Sequence, residues 1–216
     1  MPTKKKPTAA PRPGRRPELL AVAAQVFAAQ GYDATTVRGI ADEAGMLAGS
    51  LYHHFDSKES MADEILSTFL TGLRATCGAV LDAGLGPRDT LEALVTASFR
   101  HIGRNRAAAA IYRTEGAHLA GRPGFPRLAG VRPVLEEALS RTLERGTADG
   151  SFRGDLDTRL TCRLLRDAIW GAASWHDPGA GPGQDPGELA HGYLTLLLDG
   201  LTPRVRHPHA HATRPA

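Results

Sequence analysis

At 216 residues the chain has room for one mid-sized domain, or for a small and a larger one. A formal charge of only +3 excludes a polycation, so any nucleic-acid surface must be local. The hydrophobic fraction of 42% supports a packed core, while 6% aromatics and a lack of period-2 β-branched runs argue against sheets and leave an all-α chain. Cys77 and Cys162 form no metal or redox motif, and two isolated thiols fit a reducing cytoplasm and a structural role. No apolar run reaches the roughly 18 residues of a membrane span, and the basic N-terminus lacks the apolar segment of a secretion signal.

Residues 1–16 carry Lys4, Lys5, Lys6, Arg12, Arg15 and Arg16, four prolines and no acid. They read as a disordered basic arm, either a DNA-contacting strand or a solvated tail. A helix then opens near Pro17, with Leu20, Ala23, Ala24, Phe27 and Ala28 as its apolar stripe and Gly31 as its end. Thr36 can cap the next helix, whose apolar residues are Val37, Ile40, Ala41 and Ala44, and Gly45 suits the left-handed residue that ends it. Leu47 to Phe55 forms a third helix with Leu51 and Phe55 on its buried side. Two short helices around a Gly-containing turn are the sequence form of a helix-turn-helix. The second would turn Ala48, Gly49, Tyr52 and His53 outward, small residues first, as close approach to a DNA major groove requires.

In this setting Tyr52 offers a hydroxyl to a phosphate, and Thr35, Thr36, Ser50 and Lys58 add donors and a charge near helix N-termini. Arg38 can be bidentate to a guanine edge or can pair with phosphate. His54 is better suited to packing than to reading a base.

Asp56 and Glu59 form a capping-box-like start for a long helix through Met61, Ile65, Phe69, Leu73 and Val80 to about Ala83. Gly84, Gly86 and Pro87 break it. Further helices are expected at 88–104, 106–119, 127–147, 157–176 and 186–201, with a Gly/Pro-rich loop over Asp177–Gly187 and a loose tail over 203–216. In the penultimate helix Leu160, Leu164 and Ala168 make one line and Leu165, Ile169 and Ala173 another. In the last, Leu189, Tyr193, Leu197 and Leu201 line up beside Leu194 and Leu198. So much apolar width predicts a homodimer through these two helices, joined as a four-helix bundle.

Cys162, Arg166, Trp170 and Ser174 share one helix face at four-residue spacing. Arg166 under Trp170 could hold an anionic group beside a flat apolar one, or could pair with a carboxylate such as Asp167 or Asp199. The chain carries no phosphate-binding Gly-rich loop, zinc-ligand spacing or serine-nucleophile elbow, so neither an enzyme nor a cofactor is indicated. His207, His209 and His211 alternate in the tail without a convincing metal-site spacing.

The run Thr36-Val37-Arg38-x-Ile40-Ala41-x-x-Ala44-Gly45, followed by Gly49-Ser50-Leu51-Tyr52-His53-His54-Phe55 and Lys58-Glu59, resembles the DNA-binding head of TetR-family regulators over residues 17–64. The resemblance implies an all-helical dimer that binds an operator on double-stranded DNA, a second domain for a small effector, and Thr35, Thr36, Arg38, Ala48, Gly49, Tyr52, His53 and Lys58 at the DNA. One departure is Leu47, which stands where many members carry a capping Ser or Thr. Domains are therefore expected at 1–16 (basic arm), 17–60 (DNA-binding head), 61–202 (effector binding and dimerisation) and 203–216 (tail).

Segments around Gly150–Asp157, Arg166–Trp170 and Trp175–Gly179, with Ile111-Tyr112 and Glu115, are similar to one branch of that family. This branch includes a repressor of bacterial steroid-ring catabolism, and its effectors are coenzyme A thioesters of ring fragments. The likeness implies Arg166 and Trp170 at the ligand, with Tyr112 counted beside them. It suggests a cytoplasmic repressor released by such a thioester, with an unrelated hydrophobic effector, or a helical protein-binding module, as alternatives.

Overall fold

The structure is a computed structural model that describes residues 14–131, 134–171 and 186–201. The arm over 1–13, most of the 177–187 loop, Ser174, the side chains of Asp199 and Leu201, and the tail with His207, His209 and His211 lie outside the described residues. Every described element is helical, as the sequence predicts. The chain forms two compact units, and the first of its three crossings between them falls at Gly72–Leu73, inside one long helix.

The first unit holds α1 (Arg15–Gln30), α2 (Val37–Glu43), α3 (Ala48–Leu51), the first turns of α4 (Lys58–Asp82), α6 (Arg106–Ala120) and α7 (Pro126–Ala129). α1 begins two residues before Pro17, and its buried face is Leu19, Ala23, Ala24, Val26 and Phe27. Leu20 is only half-buried and Ala28 is exposed, so the stripe is rotated from the expected one toward Leu19 and Val26. Arg15 and Arg16, assigned to the arm from their charge, are helical. Arg16 pairs with Glu64 at 2.7 Å and lies 4.3 Å over the Phe55 ring, while Arg15 donates to the Ala44 carbonyl at the end of α2. Two cations thus staple the helix-turn-helix to α1 rather than waving in solvent.

α4 starts at Lys58 because Ser57 and Ser60 make the reciprocal capping box: each backbone amide donates to the other's hydroxyl, at 3.2 and 3.1 Å. The box expected from Asp56 and Glu59 is displaced by one residue, and Glu59 is used elsewhere. The helix expected over 127–147 is two helices, α7 and α8, with Gly130 at the end of α7 three residues before Pro133.

The second unit holds the rest of α4, α5 (Pro87–Arg104), α8 (Val134–Ala148), α9 (Thr158–Gly171) and α10 (Pro186–Leu201). α5 buries Leu91, Leu94, Val95, Phe99 and Ile102, the i, i+3, i+4, i+7 stripe of a core helix. α8 and α10 pack against α5, and Phe99 stacks on Tyr193 with centroids 6.1 Å apart. A methyl at Gly146 of α8 would sit 2.2 Å from the Phe152 ring, which is why the turn after α8 can tuck that ring into the core. Asp157 caps α9 by accepting from the Leu160 amide at 2.9 Å.

Candidate nucleic-acid interface

The reading head is built by local chemistry. Thr36 caps α2, accepting from the Gly39 amide at 3.0 Å. Gly45 has φ 66° and closes α2 in a Schellman pattern: Met46 N donates to Ala41 O at 2.9 Å and Gly45 N to Asp42 O at 3.1 Å. Ile40, Ala41, Leu51 and Phe55 are buried and lock α2 and α3 together. α3 itself is one turn long, shorter than the expected Leu47–Phe55, and a turn carries the chain on to Phe55. Leu47 caps α3 with its carbonyl only, and its side chain is 79% exposed.

This arrangement leaves Thr36, Arg38, Gly49, Tyr52 and His53 exposed and Ala48 half-buried, with nothing within 4 Å of a methyl placed on Gly49. A flat, small-residue start flanked by a guanidinium and a phenol can enter a major groove. Arg38 meets Asp42 at 3.9 Å in a loose, solvent-exposed pair that DNA phosphate can displace. His54 is half-buried beside Phe55, as expected of a packing residue.

Two of the expected DNA contacts have other uses. Thr35 is buried and its hydroxyl donates to the Gly31 carbonyl at 2.7 Å. The Lys58 ammonium donates to the carbonyls of Tyr32 at 2.9 Å and Thr35 at 3.0 Å, and lies 4.3 Å over the Tyr32 ring. Both hold the α1–α2 loop in shape from behind.

That loop has a hub that the sequence reading passed over. Tyr32 is fully buried against Phe27 and edge-on to Phe125, and its hydroxyl donates to Glu59 at 3.0 Å. Burial first, then the Glu59 carboxylate, pushes the phenol well above its ordinary value of 10.0. The Tyr32 amide donates to both oxygens of Glu115 on α6, at 3.0 and 3.3 Å. Asp33 pairs with Arg122 at 3.0 Å, and that guanidinium holds the Asp33 carboxyl below its usual range. Asp63 of α4 accepts from the Arg127 and Leu128 amides, at 3.2 and 2.8 Å, and so caps α7 from outside. The one prior signal was the Gly-Tyr-Asp triplet ahead of two threonines, since Glu115, Arg122 and Phe125 lie more than eighty residues away.

The three ligand candidates divide between the units. In the first, Tyr112 lies on α6 with its ring 6.5 Å from Phe69, and burial raises its hydroxyl pKa. Gly116 makes room for it: a methyl there would be 2.5 Å from the ring. In the second, Arg166 is half-buried and pairs with Asp167 at 2.9 Å and with Glu136 of α8 at 3.3 Å. Asp167 is the partner foreseen from spacing, and Glu136 is an addition. Trp170 is half-buried one turn further along the same helix. Cys162, one turn before Arg166, is buried near the Glu136 carbonyl.

Residues 19–65 match the family model "Bacterial regulatory proteins, tetR family", and residues 84–201 match "Tetracyclin repressor-like, C-terminal domain". The chain belongs to the TetR family. It is 49% identical over 188 residues to the HTH-type transcriptional repressor KstR2 of Rhodococcus jostii, covering 87% of this chain and 91% of that protein. To the KstR2 of Mycolicibacterium smegmatis it is 41% identical, over 91% of this chain and 95% of the relative. Among solved structures, the ketosteroid transcriptional regulator KstR2 of Mycobacterium tuberculosis aligns with TM-score 0.82 and 39% identity, over 91% of this chain and 99% of that one. The protein is therefore a TetR-family transcriptional repressor close to KstR2, a DNA-binding regulator rather than an enzyme. Among the described residues no helix is long and apolar enough to cross a membrane.

Proposed function

We propose that this TetR-family repressor works as a homodimer in the cytoplasm and leaves its operator when a coenzyme A thioester of a steroid-ring fragment binds. The observation that carries the reading is similarity to KstR2 repressors along both domains, at 49% identity with the Rhodococcus jostii protein. On this reading Thr36, Arg38, Ala48, Gly49, Tyr52 and His53 meet the DNA, and Thr35 and Lys58 shape the loop beside it. Arg166, already fixed by two carboxylates, offers part of its guanidinium to an anionic group, and Trp170 offers an indole face to the apolar part.

The effector acts only through its differential affinity for two conformations. A thioester that binds better when the two heads are wrongly spaced lowers operator affinity by the same factor that DNA lowers thioester affinity. α4 is the natural lever, because one continuous helix runs through both units.

Two measurements test this. Arg38→Ala should weaken binding to an operator selected from random duplexes and reduce its log–log salt slope by about one, and Tyr52→Phe should weaken binding. Unchanged titrations of both variants would count against the docking. Thermal-shift screening with acyl and steroid-derived coenzyme A thioesters should give a hit whose operator release needs higher concentrations in Arg166→Met, with ligand-free binding intact. A hit confined to unrelated hydrophobic molecules would replace the thioester reading.

A further inference from the structure

We propose that Glu115 is a positioning residue for DNA reading, acting from α6 through the backbone amide of Tyr32. The inference rests on the DNA role of the α2 residues argued above. α1 ends at Gly31, with φ 81°, and the chain must then turn within four residues into buried Thr35 and the Thr36 cap of α2. The Tyr32 amide follows the helix end directly. Glu115 meets it with both carboxylate oxygens, at 3.0 and 3.3 Å, and Oε1 lies 3.5 Å from where a Gly31 methyl would be.

The remaining polar groups of the turn are tied as well, but less strongly or to nearer partners. Asp33 is held by Arg122 in an exposed ion pair, the kind that contributes little. Lys58 gathers the carbonyls of Tyr32 and Thr35 from the start of α4. The Glu115 contact is a charge-assisted bond to an amide of this turn that Lys58, a donor, cannot satisfy, and such bonds are roughly twice as strong as neutral ones. Half-buried Glu115 also sits one turn from Leu119 and beside Gly116, both buried, so α6 holds it firmly. Removing the carboxylate frees the Tyr32 amide, loosens the 31–35 turn, and lets the start of α2, with Thr36 and Arg38, move relative to α3. Glu115 touches no DNA in this account. It sets where Arg38 is presented.

The test uses the full-length protein and a fluorescent operator selected from random duplexes by the parent. Glu115→Ala should bind that operator roughly 10-fold more weakly and keep the parental affinity for a scrambled duplex. Its loss should be less than additive with that of Arg38→Ala, since both act at one site. Hydrogen exchange should show the Tyr32 amide losing protection. Glu115→Gln, which retains a carbonyl acceptor, should recover most of the affinity. Should Glu115→Ala not fold, Glu115→Asp serves, because its shorter side chain withdraws the carboxylate from the amide while keeping the charge.

A folded variant whose Tyr32 amide exchanges freely but whose operator affinity is parental overturns the proposal. So does a loss that is equal on scrambled DNA, or fully additive with Arg38→Ala. If Arg38→Ala and Tyr52→Phe alone leave affinity unchanged, the docking of the head is wrong, a result separable from any effect at position 115.

Discussion

Leu47 shows how one side chain can mark a helix start as incomplete. Position 47 has the extended backbone of an N-cap, and its carbonyl accepts from Ser50 and Leu51, yet its side chain satisfies no amide and is 79% exposed. A serine there keeps the same backbone geometry and adds an acceptor for an amide of the one-turn α3. Leu47→Ser should therefore stabilise the protein by about 1 kcal/mol, seen as a higher thermal midpoint. A midpoint at or below the parent's would mean that the leucine packs usefully in solution. The missing cap was legible in the sequence because a cap is a local contact. So were Thr36 as the cap of α2, Gly45 as its left-handed end, and the buried pair Leu51 and Phe55. Thr35 and Lys58 were legible by type, but their carbonyl partners were not. A threonine and a lysine beside a helix-turn-helix suit phosphate, and only the fold shows that the Gly31 carbonyl also takes the Thr35 hydroxyl and the Tyr32 and Thr35 carbonyls the Lys58 ammonium.

Elements show a different limit. Periodicity located α5, α6 and α10 within a residue or two because each is a single amphipathic stripe with clear ends. It merged α7 with α8, since an apolar spacing of three and four continues across Gly130 and Pro133. α7 is one turn long and has no side-chain cap of its own. Its stability comes from α4, where buried Asp63 accepts from the Arg127 and Leu128 amides, and from Phe125, buried against Tyr32. No local rule links residues more than sixty apart, so neither contact could be read from spacing. Asp63→Ala leaves two amides without their acceptor in a buried place. It should lower stability by roughly 1–3 kcal/mol in urea unfolding, with Asp63→Asn intermediate because one amide keeps a carbonyl partner. An unchanged midpoint for the alanine variant would show that water replaces the carboxylate and that α7 is held by Phe125 and Leu128 alone.

At the level of the whole molecule, the sequence divides naturally into a head ending near residue 60 and a larger remainder, yet the chain returns α6 and α7 to the unit that contains the head. A contiguous reading cannot foresee such a return, because composition does not change at residues 105 and 132. The last two helices divide their leucines between the core of the second unit and solvent. Leu165 and Ile169 of α9 are buried within the second unit, and so are Leu194 and Leu198 of α10. Leu160 and Leu164 remain 50% and 57% exposed, and Leu196 is 83% exposed. Several leucines left in water on one pair of helices are what a symmetric partner would cover. Because Leu160 and Leu164 are not part of the unit's own core, glutamates in their place should leave the monomer folded while opposing a like-charged copy across a two-fold axis. On the proposed homodimer the parent should sediment as a dimer and the Leu160→Glu, Leu164→Glu double variant as a monomer, with a far-ultraviolet spectrum like the parent's. Operator affinity should fall by roughly 10²-fold or more, since each head then binds its half-site without the other held nearby. Parental mass together with parental affinity in the double variant would place the dimer contact elsewhere, and Leu196→Glu would be the next substitution to measure.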